Sequence, residues 1–493
     1  MKRIEKKILV GIIALAASFA AYTLHAEYNE ISTDFPMTGP TTFTAASGVT
    51  NVYTGLISGT GPAIIEGGGT VAFAHPNNTY TGGTTVNSAV FRLDADGCAG
   101  TAGITGTVET AHVYLNCANV PNDLIFNAGA DNISLLAPGA YPAAKQYMLF
   151  PMRSEVSVKG LVAFNGQSYI YDSTSPALVS PYPTVTYEKG ITNVHSKFTH
   201  LHLIPFGRMI FKGPYTAVGV VGGYFGYKND AKGAIEFHAS SNILWRANLF
   251  NANVDFRAVD AFPSTLFYYE NGGDGYCKMI LNGNDQTLLG FSWKTTVTPG
   301  ESGKGQCITS DAPATVRIKG CEMSRVAGSL VNRLALFGNV SLVMDVDSTY
   351  TDAGFYQDFS VRQSTTTGDL IISNGDFRVS STASFPNVPN IYVGEGGSFS
   401  NASTKANAFA GCRNLTVLGN MACTGDATPF GYGTMALTLG SDATFSLPAG
   451  ATVTVKSFNV GGFAMPDDTY GDGGTPIAQL KQGTVVEERQ YLR

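Results

Sequence analysis

From residue 27 onward the apolar residues fall in short alternations, and turn residues separate them. Val71 and Phe73 alternate in "TVAFA", and Ala89, Phe91 and Leu93 alternate in "AVFRL". A period of two over about five residues is the pattern of a half-buried strand. Between these strands lie "HPNN", "TGG" and "NS", all turn chemistry. Val71 and Phe91 are 20 residues apart. The chain therefore passes through strand, turn, strand, turn and strand, and returns to a similar Thr/Val/Phe pattern. Helical periodicity is nearly absent. Strands this short cannot bury an apolar face alone, so they must stack.

A looser echo recurs, an alternating strand that ends on Gly. It reads "SVKG" at 157–160, "IFKG" at 210–213, "MILNG" at 279–283 and "RIKG" at 317–320. Further instances are "LALFG" at 334–338, "TVLG" at 416–419 and "FNVGG" at 458–462. The irregular spacing suits a solenoid whose coils tolerate loops of different length. Gly at a corner accepts backbone angles that other residues resist. Branched Thr and Val pack well on stacked strands, and aligned Asn amides can bond from coil to coil. A stretch such as 66–93, almost free of charge, is built for turning and stacking.

The segment "GGGTVAFAHPNNTYTGGTTVNSAVFRL" resembles the autotransporter-associated β-strand repeat. The matching positions are Gly67, Gly68, Gly69 and Thr70, then Asn78, Tyr80, Thr81, Gly82, Gly83, Thr84, Thr85 and Val86. The segments 281–293, 308–320 and 443–471 resemble later parts of similar bacterial surface proteins. The resemblance implies an all-β chain folded as a right-handed parallel β-helix, a single elongated domain with irregular loops, exported and displayed at a bacterial surface. Two departures stand out. The chain ends "EERQYLR", without a terminal aromatic, and has no run of amphipathic strands of about ten residues such as a membrane barrel needs.

The expected organisation follows. Residues 1–26 read as a signal peptide: basic "MKRIEKK", then apolar "ILVGIIALAASFAA", then small residues. The apolar run is short for a membrane span, although an uncut anchor is the alternative. Residues 27–61 are expected to form an entry cap and 62–471 the β-helix, with the repeat at about 66–98. A Pro-rich region at 138–206 reads as irregular coils or an inserted loop domain, and 472–493 as a tail. The formal net charge is -6. Without Lys2, Arg3, Lys6, Lys7 and Glu5, 27 basic and 36 acidic residues remain, or -9. That balance argues against nucleic acid or anionic lipid, both of which want a basic stripe. The seven cysteines form no CxxC pair, so they read either as a disulfide set or as small buried hydrophobes.

Four constellations carry possible chemistry. "PGESGKGQC" at 299–307 lacks the Ser or Thr after Lys304 and the first Gly of a phosphate loop, and reads as a flexible loop. His200 and His202 share a strand face and are candidate zinc ligands, with His195 or Glu188 as a third; a polar surface is the plainer reading. "MDVDSTYTD" places Asp345 and Asp347 on one face but lacks the Gly and Glu of a calcium loop, and reads as a solvated strand. The best candidate for catalysis is an outward stripe. Alternation turns Ile235 and Phe237 inward and Glu236 and His238 outward; 19 residues on it turns Val254 and Phe256 inward and Asp255 and Arg257 outward. Lys278 is a possible extension. Such a stripe is either a general acid/base pair acting on polysaccharide or a salt-bridge ladder.

The leading expectation is a secreted or surface-displayed structural or adhesion protein. Its partner would be glycan or a cell-surface component, with no cofactor and no integral membrane domain in the mature chain. The alternative is a polysaccharide lyase or glycoside hydrolase on the same fold.

Overall fold

A computed structural model describes residues 27–108, 111–130, 147–166, 168–171, 183–205, 207–226, 233–249, 252–269, 278–293, 307–320, 335–352, 356–359, 364–425, 429–472 and 474–487. The leader reading for 1–26 lies outside these residues.

The described chain is a β-solenoid of about 14 turns, nearly all β, formed by stacked parallel strands. Early coils run through three stacks. The first contains Thr41–Ala45, Ala63–Gly67, Thr84–Val86, Ile104–Gly106 and Leu124–Ala130, each parallel to the next. The second contains Val49–Tyr53, Thr70–Phe73, Val90–Leu93 and His112–Leu115. The third takes shape from Asn119–Val120 through Glu155–Val158, Thr184–Tyr187, Arg208–Phe211 and Ala234–Phe237. The first two stacks merge where the long strand Ile191–Ile204 pairs with both Val162–Gly166 and Ser168–Tyr171.

Register is set by the inward side chains. Val71 lies beside Phe91 and Phe73 beside Leu93, at the 20-residue interval, and all four are buried. Slipping by one residue would turn these apolar groups to water. The core is aromatic along much of its length. Tyr187, Phe211 and Phe237 stack in successive coils at centroid distances of 5.0 and 5.3 Å. Each fully buried ring of this kind contributes about 2–3 kcal/mol of transfer free energy.

The repeat-like residues prove to be corner machinery. Asn78 is buried and joins three coils: its Oδ1 accepts from Ile57 N at 2.8 Å and its Nδ2 donates to Cys98 O at 2.6 Å. Tyr80 fills the core against Phe73, and its hydroxyl meets Thr84 Oγ1 at 2.5 Å. Gly82 passes so close to the coil beneath that a Cβ would stand 2.4 Å from Pro62 N, and Gly83 takes φ +80°. No larger residue fits the first, and few tolerate the second.

Several boundaries differ from expectation. Residues 27–61 are themselves coils: Glu27–Ile31 pairs in parallel with Val49–Tyr53, and Phe35–Met37 with Ile57–Gly59. Past 471, Leu480–Gln482 pairs with Thr444–Ser446, and Thr484–Glu487 with Thr452–Val455. Stacking therefore continues through Glu487. Within 138–206 the described strands keep the coil register. Gly338, expected to end a strand, lies inside Ala335–Asp345 with φ +67°, beside an irregularity in the pairing with Cys307–Ile318. A bulge needs that freedom as a corner does. At the far end the antiparallel pair Ser457–Val460 and Phe463–Ala464 interrupts the parallel order.

Outside the core, the first stack presents one long column. Thr42 lies beside Ile64, then Thr85, Thr105 and Ile125. The column continues through Ala163, Thr192 and Thr216 to Ile243.

Candidate functional site

The third stack builds the charged stripe. Ala234–Phe237 pairs in parallel with Asn253–Phe256, so Ile235 meets Val254, Glu236 meets Asp255 and Phe237 meets Phe256. The apolar members are fully buried, and the carboxylates alternate to the other side of the strands.

The structure corrects one element of the expectation: these carboxylates are not solvated. Glu236 is only 3% exposed and Asp255 is also buried. Cations on neighbouring rungs fold over them. Arg208 Nε donates to Glu236 Oε1 at 2.5 Å, and Arg257 Nη2 lies 3.8 Å from the same oxygen. His238 Nε2 stands 3.1 Å from Glu236 Oε2. Arg257 Nη2 donates to Asp255 Oδ2 at 2.8 Å, and Asn282 Nδ2 donates to Asp255 Oδ1. All four carboxylate oxygens therefore have partners. Burial pushes the Asp255 carboxyl above the usual carboxylate range, and the Glu236 charge adds to this; Asn282 and Arg257 oppose it.

The ladder thus joins Glu236, His238, Asp255 and Arg257, as the alternation and the 19-residue offset suggest. It also recruits Arg208 and Asn282, which sequence reasoning missed. Arg208 aligns with Ala234, two residues along from the carboxylate column, and reaches across diagonally. Lys278 does not extend the ladder, since Ile280 is the residue opposite Asp255. Chemically the group is a charge-paired lattice. For either carboxylate to act as acid or base it must exchange a present partner for substrate.

The other constellations resolve differently. Asp345 accepts from Lys319 Nζ at 2.6 Å, Arg317 Nη1 at 3.0 Å and Asn374 Nδ2 at 3.2 Å. The Lys319 hydrogen bond, against some desolvation, holds its carboxyl below the usual range. Asp347 instead caps the short helix Ser348–Asp352, accepting from Thr349 N at 2.9 Å. The strand is thus an ion-pair site and a cap rather than a plain solvated face. His200 and His202 lie on Ile191–Ile204 opposite Gly222 and Tyr224; their side chains, and that of His195, lie outside the described set. Glu188 is bound to Lys212 at 3.0 Å. Among the described residues no group of three His, Cys, Asp or Glu side chains is placed to hold a metal ion. Nearly all of the 299–307 loop lies outside the described residues.

Cys98, Cys117, Cys307 and Cys412 are free and buried, and Cys423 is buried. Burial pushes the Cys98, Cys117 and Cys412 thiols up to about 12. Cys277 and Cys321 lie outside the described residues. Among the described residues no helix is long and apolar enough to cross a membrane. Comparison with family models, with curated proteins and with solved structures finds no match for this chain.

Proposed function

We propose that this protein is exported and serves as a structural or adhesive rod at a cell surface, making contact with glycan or neighbouring cells through its outer faces. One observation carries the reading: among the described residues coils stack from Glu27 to Glu487, almost all in parallel, which lays side chains out in long columns. A solenoid of this kind offers an extended contact surface. The resemblance of 66–93 to an autotransporter-associated repeat supports export and display. The test is cell fractionation, followed by binding of the purified protein to a glycan array and to whole cells. Recovery of the protein from the cytoplasm with its first 26 residues intact would defeat the reading.

A second reading keeps polysaccharide cleavage at the ladder. Asp255, buried beside Glu236 with its carboxyl raised, has a property of a general acid. The full engagement of both carboxylates weighs against it. Screening acidic and neutral polysaccharides, then repeating with Glu236→Ala/Asp255→Ala, separates the two. Cleavage that the double variant abolishes would make the enzyme reading the better one.

A further inference from the structure

The first stack differs from the third in what it shows to solvent. Its long column, from Thr42 to Ile243, holds only Thr, Ile and Ala. The next outward position holds Thr44, Glu66, Asn87, Thr107, Asn127 and Asn165 over the first coils. Asn87 Nδ2 donates to Glu66 Oε1 at 3.2 Å, Thr107 bonds to Asn87, and Asn165 Nδ2 donates to Asn127 Oδ1 at 3.1 Å. These polar groups satisfy one another along the rod. Further on, the face turns apolar. Val218 lies two residues beyond Thr216, and Trp245 two beyond Ile243, with buried Ala217 and Leu244 between. Ile125, Val218, Ile243 and Trp245 are 36%, 46%, 53% and 47% exposed.

Val218, Ile243 and Trp245 are neighbours on this face, and a group of exposed apolar side chains with polar residues beside it marks a protein contact surface. We infer that this face pairs two copies of the chain, sheet against sheet, about a two-fold axis. Going beyond the rod reading, three features select a second copy. First, the chain carries net charge -6, so two copies approach most easily where charge is sparse. The two columns carry one carboxylate among the described side chains, Glu66, already bonded to Asn87. Second, a second copy has the same coil spacing, so its rungs match along the whole length; a two-fold axis makes the contact self-complementary. Third, the size suffices for a weak dimer. Eight steps of about 4.8 Å give a face about 38 Å long, and two outward columns with their flanks span about 14 Å. Roughly 500 Å² per copy, or roughly 1,000 Å² in total, is at the lower limit for a specific interface. A sugar polymer fits less well, because the face offers aliphatic groups with a single indole, and its amides are bound to each other.

Sedimentation velocity over a concentration series tests the inference on the protein as the cell produces it. The expected result is reversible monomer–dimer exchange, with Trp245 emission moving to shorter wavelength as dimer forms. Val218→Lys/Ile243→Lys should weaken association at least about tenfold, while Thr186→Lys, on the third stack, should not. If the lysine pair disturbs folding by circular dichroism, Val218→Thr/Ile243→Thr keeps strand-forming branched residues and should still weaken the dimer. A monomer at every concentration, or a dimer indifferent to both double variants, overturns the inference. So does a monomer whose glycan binding is lost in the same variants, which would assign the face to sugar.

Discussion

Glu236 and Asp255 stand opposite each other on adjacent parallel strands, both buried, and Arg257 reaches both. The cations around them are far more open: Arg208 and Arg257 side chains are 47% and 38% exposed. The arrangement is therefore asymmetric. A cation that loses its partner can turn to water, whereas a buried carboxylate cannot. Arg257→Ala should destabilise by about 3 kcal/mol, since it leaves two neighbouring carboxylates under-compensated. Glu236→Gln should cost about 1 kcal/mol. Urea midpoints of the two variants check the order, and a larger loss for Glu236→Gln would show that the ladder is held in another way.

The buried thiols should be silent in the folded state. With Cys98, Cys117 and Cys412 pushed up to about 12, almost no thiolate forms at about pH 8. Native protein treated with iodoacetamide should remain unlabelled at these positions and become labelled in denaturant. Peptide mass spectrometry reads each site separately. Rapid native labelling of Cys98 would contradict its burial.

Tyr215 is fully buried, and among the described residues its hydroxyl has no hydrogen-bond partner. An unpaired buried hydroxyl is destabilising, since it gives up its bonds to water and gains none in exchange. Tyr215→Phe keeps the ring contacts with Phe211, Phe225 and Phe237. Stability should be unchanged or rise by up to about 1 kcal/mol. A fall of more than that would reveal a partner for the hydroxyl.

Asp345 should make stability sensitive to acid. Its folded carboxyl lies below the usual range because of the Lys319 hydrogen bond. A depressed carboxylate contributes stability that is present above the unfolded value and is lost as pH falls through the folded one. The stability difference between the native protein and Asp345→Asn, about 1 kcal/mol for a network this open, should hold at neutral pH and vanish in strong acid. A difference that grows on acidification would reverse the sign.

What the sequence showed and hid follows from the range of each interaction. Val71 and Phe91 were legible as stacked because both signals are local: a period of two, and a short fixed return. The Glu236–Asp255 contact was legible for the same reason. Their burial was not, because it depends on Arg208, which lies 28 residues away across a coil of different length and one column to the side. Alternation tells which side of a strand a residue takes and says nothing of what covers that side. The ends misread for a related reason. Thr484–Glu487 looked like a charged tail, but Val485 is buried and the strand pairs with Thr452–Val455.

The hydrogen bonds between coils also decide how the molecule would bear load. In a parallel solenoid they point along the rod, so a pull between the first and last coils stretches them end-on. Short rungs such as Thr84–Val86 and Ala63–Gly67 then open in succession, in the manner of a zipper. Each rupture releases one coil of slack and leaves the next interface intact, because coils contact only their neighbours. Single-molecule extension should show a train of small, evenly weak force peaks; one large peak would mean that distant coils share the load. A tether of this kind yields gradually, lengthening under tension while most of its length stays folded.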